Sequence, residues 1–183
     1  MKIVYVCSRG ERRSPVIATY TRSYLDRLDL HGITVGYRGV KEVDEDKDLV
    51  TNESRLIKIE KVRKTEQDRD IIERIRKAKT LIHPRMAYLL LKEGEDILRV
   101  PRIEAIDFKE DLVLALDRVV GVQMPQHTKT VLEFLGERDL EIPDARYWSF
   151  GTDYQLKVDK RLCEKLRKYG EAVVNNALRN EWF

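Results

Sequence analysis

Lys2-Ile3-Val4-Tyr5-Val6-Cys7-Ser8-Arg9-Gly10-Glu11-Arg12-Arg13-Ser14-Pro15-Val16-Ile17 changes character at a single thiol. Ile3 to Val6 is an unbroken β-branched and aromatic run, as expected of a parallel strand buried on both faces. From Ser14 the apolar spacing becomes helical, with Ile17, Thr21, Tyr24 and Leu28 on one stripe and His31-Gly32 ending it. A strand ending in a thiol, then a tight loop, then a helix opening on Ser and Pro gathers unpaired backbone N–H groups and a helix N-terminus around one point. An anion belongs at that point.

The side chains in the loop suit a phosphate. A helix N-terminus and a nearby cation favour a thiolate over a thiol, so Cys7 reads as a nucleophile. Arg13 follows after five intervening residues and supplies a planar fork that can hold two phosphate oxygens at once, which lysine cannot do. Ser14 can donate its hydroxyl to the sulfur and make it a better leaving group. Pro15 fits the first helical turn, where no N–H is missed. Taken alone, Cys7 also reads as a buried thiol at a strand end; the company of Arg13 and Ser14 favours chemistry.

Outward from the loop, residues 33–37 are expected as a second strand, reached by a right-handed crossover. Residues 86–92, closed by Gly94, read as a helix, and residues 112–116 as a central strand. Residues 128–135 fit a short helix or a fourth strand equally well. Leu156, Cys163, Leu166, Val173 and Ala177 form one stripe of an amphipathic helix packed on the sheet. Between these segments, Ile57, Ile59 and Val62 show strand-like spacing, and Ile71, Ile72, Ile75 and Ala78 helical spacing. Such sheets carry their sites beyond the carboxyl ends of the strands, where Cys7 falls.

Composition mainly excludes. At 183 residues the chain is expected to be one domain with a full core. Two cysteines cannot staple it, and Cys163, on the apolar stripe, reads as core packing. No leader-like segment and no apolar run near eighteen residues is visible, so the expectation is a cytoplasmic protein without a membrane partner. Lys and Arg number 35 against 32 Asp and Glu, with no block of like charge, which argues against a nucleic-acid partner. The abundance of Lys, Arg and Glu hints at a thermostable protein. His31, His83 and His127 lack ligand spacing, so no metal site is expected and all three are read as structural or exposed.

The stretch Cys7-Ser8-Arg9-Gly10-Glu11-Arg12-Arg13-Ser14-Pro15 resembles the signature loop of the low-molecular-weight protein tyrosine phosphatases. Three later stretches agree: Ile142-Pro143-Asp144 resembles the family's late loop carrying the acid, residues 111–117 its third strand, and residues 152–178 its last helix. The resemblance covers most of the chain except roughly residues 40–80. It implies an α/β fold of three layers, a four-stranded parallel sheet flanked by helices, phosphotyrosine protein phosphatase I-like, with residues 128–135 as the fourth strand. It further implies a phosphomonoester hydrolase that needs no metal or organic cofactor. Cys7 would be nucleophile and Asp144 acid, then base. Arg13 and the loop segment Ser8, Arg9, Gly10, Glu11, Arg12 and Ser14 would hold the phosphoryl group, and Tyr147 and Trp148 would wall the substrate ring. The implied partner is a phosphorylated protein or a small phosphomonoester. Two alternatives remain: an arsenate reductase of the same fold, which needs further cysteines, and a non-catalytic phosphate or phosphoprotein binder.

The loop departs from the family pattern. Arg9, Gly10, Glu11 and Arg12 replace its usual Gly-Asn, apolar residue and second cysteine, so no adjacent thiol can protect Cys7. The family's loop asparagine bonds a serine after the second strand; Gly10 and Tyr37 are expected in those two places. Glu11 would repel a phosphate unless Arg9 or Arg12 neutralises it. Ala145 and Arg146 follow the acid in place of the family's proline. Residues 41–79 are expected as an inserted charged subdomain at the carboxyl end of the sheet, covering the site or building a homodimer contact.

Overall fold

The computed structural model describes residues 1–7, 9–39, 44–106, 111–115 and 157–179. Strand β1 (Lys2–Cys7) lies between β2 (Thr34–Gly39) and β3 (Asp111–Ala115), parallel to both. The register runs Ile3 against Val35 and Leu112, and Cys7 against Gly39. With a neighbour on each side and helices flanking the sheet, Ile3, Val4, Tyr5 and Val6 are fully buried, which is why this segment has no polar alternation. A fourth strand at 128–135 lies outside the described residues.

Helix α1 (Arg13–Arg27) returns the chain from β1 to β2 and packs against both the sheet and a late helix. Its inner stripe is Ile17, Thr21 and Leu25, with the Thr21 hydroxyl 2.8 Å from the Tyr5 hydroxyl. The expected stripe holds through Tyr24, which is partly buried against the core, and is corrected at its end: Leu28 caps the helix and is 41% exposed, while Leu25, four residues after Thr21, is buried.

Residues 44–79 fold as two helices, α2 (Glu45–Glu60) and α3 (Glu66–Ala78). The expected strand at Ile57, Ile59 and Val62 is thereby overturned. Asp44 accepts a hydrogen bond from the Lys47 N–H as N-cap, and Glu45, Asp46 and Asp48 complement the helix dipole in the first turn. The buried positions of α2, Asn52 and Leu56, are four apart, whereas Ile57 and Val62 are exposed. A three-residue alternation cannot outweigh a capped helix with a period-four inner face. Helix α3 opens on a Thr65/Asp68 capping box and buries Ile71, Ile72 and Ile75, as its spacing predicts.

Helix α4 (Pro84–Lys92) begins two residues before the expected start, because His83 is its N-cap and Pro84 is favoured in a first turn. It ends before Gly94, which takes a left-handed φ of 84°. Helices α2, α3 and α4 pack on one another and share one apolar core with the sheet. Helix α5 (Lys157–Leu178) lays Cys163, Leu166, Val173 and Ala177 into that core, as its stripe predicts; Leu156 lies outside the described residues. Gly170 lets α5 approach α1, since a Cβ there would lie 2.7 Å from Thr21 Oγ1. Tyr20 donates to Glu93, which also pairs with Arg167, tying α1, α4 and α5 together.

Beyond β2, residues 101–103 run alongside its edge. The Tyr37 N–H donates to Pro101 O and the Ile103 N–H to Tyr37 O. That pairing satisfies backbone groups that an open edge would leave exposed. No helix among the described residues is long and apolar enough to cross a membrane.

Candidate functional site

The loop after β1 occupies the carboxyl end of the described sheet, between Cys7 and the first turn of α1. Cys7 is 3% exposed. Its sulfur accepts the Gly10 N–H at 3.2 Å and lies 3.1 Å from Ser14 Oγ. Ser14 Oγ is also 3.3 Å from the Arg38 carbonyl oxygen, at the end of β2. One hydroxyl proton thus faces two acceptors. Negative charge on the sulfur would draw it to Sγ, and a neutral thiol would leave it to Arg38.

Loop closure depends on two glycines. Gly10 has a φ of 70°, and a Cβ there would meet Gly39 N at 2.6 Å and Arg102 Nη1 at 2.9 Å. A Cβ on Gly39 would sit 2.4 Å from the Arg9 carbonyl oxygen. The residue facing Gly10 is therefore Gly39, two positions beyond the expected Tyr37. In place of a side-chain hydrogen bond the loop and β2 touch backbone to backbone. Arg102, from the segment along β2, donates to the Arg9 carbonyl at 3.4 Å.

The loop's charged side chains face the helices. Glu11 is neutralised by Arg9, as one expectation had it, through Nε to Oε1 at 2.9 Å. Its other oxygen meets Arg55 Nη1 of α2 at 3.4 Å, and Arg9 also lies 3.7 Å from Asp48. Arg12 turns instead to His83, Nη2 to Nε2 at 2.9 Å, while the His83 backbone N–H donates to the Glu11 carbonyl at 2.8 Å. Burial, and then the cations Arg12, Arg55 and Arg85, lower the His83 pKa from 6.5 to about 3. The ring is neutral. A guanidinium has no acceptor, so the Arg12 contact engages the lone pair of Nε2. The Arg85 N–H also points at the ring, 3.3 Å from Nδ1 at the helix N-cap, so two donors face a neutral imidazole that has one lone pair.

Cys7 Sγ is brought within hydrogen-bond reach of the Gly10 N–H and of Ser14 Oγ, and Arg13, half-buried, opens the helix beside them. Arg12 at the N-cap makes no side-chain hydrogen bond to the first-turn amides. Ser8, Asp144, Tyr147 and Trp148 lie outside the described residues. Sequence reading missed Arg55 and Asp48, and did not connect His83 to the loop; only the Asp44 cap and Pro84 pointed to the helices that carry them. His31 is exposed beside Asp29, His127 lies outside the described residues, and Cys163 is fully buried in the core. Among the described residues no group of three or more His, Cys, Asp or Glu side chains is placed to hold a metal ion.

No protein-family model matches the chain, and no curated protein matches it. Solved structures do. A protein tyrosine phosphatase from Entamoeba histolytica, crystallised with Hepes in its active site, is 15% identical, covers 99% of this chain and 99% of its own, and gives a TM-score of 0.54. YfkJ from Bacillus subtilis is 10% identical, covers 100% of this chain and 97% of its own, and also gives 0.54. At such identities the likeness rests on backbone arrangement, and that arrangement is the fold of the low-molecular-weight protein tyrosine phosphatases.

Proposed function

We propose that the chain is a cysteine-dependent phosphatase hydrolysing phosphomonoesters, with protein phosphotyrosine as the favoured substrate. One observation carries the reading: at the end of β1, the Cys7 sulfur lies within hydrogen-bond reach of a loop N–H and of Ser14 Oγ, at the N-terminus of a helix, in a phosphatase fold. The Cys7 thiolate attacks phosphorus, the bond to the leaving oxygen breaks, and Asp144 supplies that oxygen with a proton. Arg13 and the loop amides hold the equatorial oxygens throughout. Water then attacks the phosphocysteine, Asp144 takes a proton from it, and the S–P bond breaks with Ser14 donating to the departing sulfur. Tyr147 and Trp148 wall the substrate ring. The expected setting is cytoplasmic, and residues 41–79 serve as a charged segment set over the loop within one domain.

The arsenate reductase alternative requires a second usable thiol. Cys163 is the chain's only other cysteine and is fully buried among α5 and its neighbours, which argues against it. The test is hydrolysis of an aryl phosphate by pure protein with and without chelator, beside Cys7→Ser. We expect chelator-insensitive turnover, and a Cys7→Ser protein that binds phosphate or vanadate but does not turn over. Turnover surviving in Cys7→Ser within tenfold would move the chemistry to a different nucleophile.

A further inference from the structure

We infer that Arg55 of α2 is a positioning residue for the phosphate loop: by holding the Glu11 carboxylate together with Arg9, it keeps that negative charge from opposing the incoming phosphoryl group. The inference rests on the phosphatase reading above and adds a determinant of its phosphate affinity. Glu11 belongs to the segment that must receive a doubly charged phosphate, and a carboxylate left unmatched there would repel it. Its side chain is only 10% exposed, so water cannot screen it fully. Each oxygen has its own cation, Oε1 meeting Arg9 Nε at 2.9 Å and Oε2 meeting Arg55 Nη1 at 3.4 Å.

The two cations are held differently. Arg9 is 58% exposed and shared with Asp48. Arg55 is braced, because its Nη1 also donates to Asn52 Oδ1 at 3.0 Å. Asn52 is buried and fixed in turn by donating to the Thr80 and Ile82 carbonyls at 3.3 and 3.4 Å. The next residue, His83, takes the Glu11 carbonyl through its backbone N–H. Side chain and backbone of Glu11 are thus both gripped by the helical block of α2 and α4. The cation that completes the loop's electrostatics lies 44 positions along the chain from Glu11.

A double-mutant cycle tests this with Arg55→Met, Glu11→Gln, the combination, and Arg55→Lys. The readouts are the Kd of inorganic phosphate by calorimetry and KM and kcat for an aryl phosphate. We expect Arg55→Met to weaken phosphate about tenfold and to raise KM more than it lowers kcat. Arg55→Lys should recover most of the loss. In the Glu11→Gln background Arg55→Met should change phosphate binding by about twofold or less. Equal weakening in both backgrounds, or none in either, overturns the inference. Should Arg55→Met fail to fold, Arg55→Gln is compared in the same two backgrounds with the same criterion. A wild-type protein that binds no phosphate overturns the phosphatase reading itself, which separates the two failures.

Discussion

Arg12 Nη2 lies 2.9 Å from Nε2 of His83, so a cation of the loop rests on a ring that its surroundings keep neutral. The contact is an N–H donated to an imidazole lone pair, and protonating the ring would remove that lone pair and set two cations face to face. His83 therefore couples the loop to acidity through stability.

The sign follows from the lowered pKa. Unfolded chains bind the histidine proton below about pH 6.5 and the folded protein only near pH 3, so the stabilisation from neutral His83 is complete above 6.5 and declines as pH falls toward 3. Between pH 7.5 and 4.5 the wild type should lose about 2–3 kcal/mol more than His83→Gln, which keeps a polar side chain without that titration. Urea unfolding of both proteins at the two pH values measures the difference. Parallel losses would remove His83 as the source.

Ser14 stands 3.1 Å from the Cys7 sulfur and should matter most when that sulfur departs from phosphorus. We expect Ser14→Ala to slow steady turnover about tenfold or more while leaving the first release of aryl alcohol fast, so that a burst appears. Rapid-mixing kinetics would show it. An unchanged steady rate with no burst excludes Ser14 from that step.

The acid assigned to Asp144 has a leaving-group signature. Asp144→Asn should cost on the order of a hundredfold for poor leaving groups and much less for activated ones. A plot of log rate against leaving-group pKa for both proteins checks it, and two parallel lines would withdraw the assignment.

Gly39 and Gly32 make a matched pair. A Cβ on Gly39 would press on the Arg9 carbonyl at 2.4 Å, and one on Gly32 would meet nothing within 4 Å. Gly39→Ala is expected to destabilise by about 1–3 kcal/mol and to abolish tight phosphate binding, because the clash is with backbone of the loop. Gly32→Ala should stay within about 0.5 kcal/mol of wild type. Equal behaviour of the two would mean that the loop can move aside at no cost.

What could be read in advance divides by the range of the interaction. β1 was legible because burial on both faces leaves no polar residue between Ile3 and Val6, and α5 because Cys163, Leu166, Val173 and Ala177 keep one face over several turns. The approach of Ser14 to the Cys7 sulfur was legible because one strand, one tight loop and one helix start determine it. α2 was misread where Ile57 and Ile59 mimic alternation, although the Asp44 cap and its acidic first turn were the better signal. Arg55 and His83 were not legible as partners of the loop. Their contacts with Glu11 and Arg12 join residues 44 and 71 apart, and a surface-like arginine before an apolar residue carries no mark of its destination.

The close seat of α5 on α1, with Gly170 against Thr21, also bears on how the protein is made. β1, the loop and α1 leave the ribosome well before α5, so α1 meets its helical partner only when Lys157–Leu178 has been translated. At about 5–20 residues per second that interval is on the order of ten seconds. During it β1 and β2 can already cover one part of α1, but the part that seats α5 stays open to chaperones and proteases.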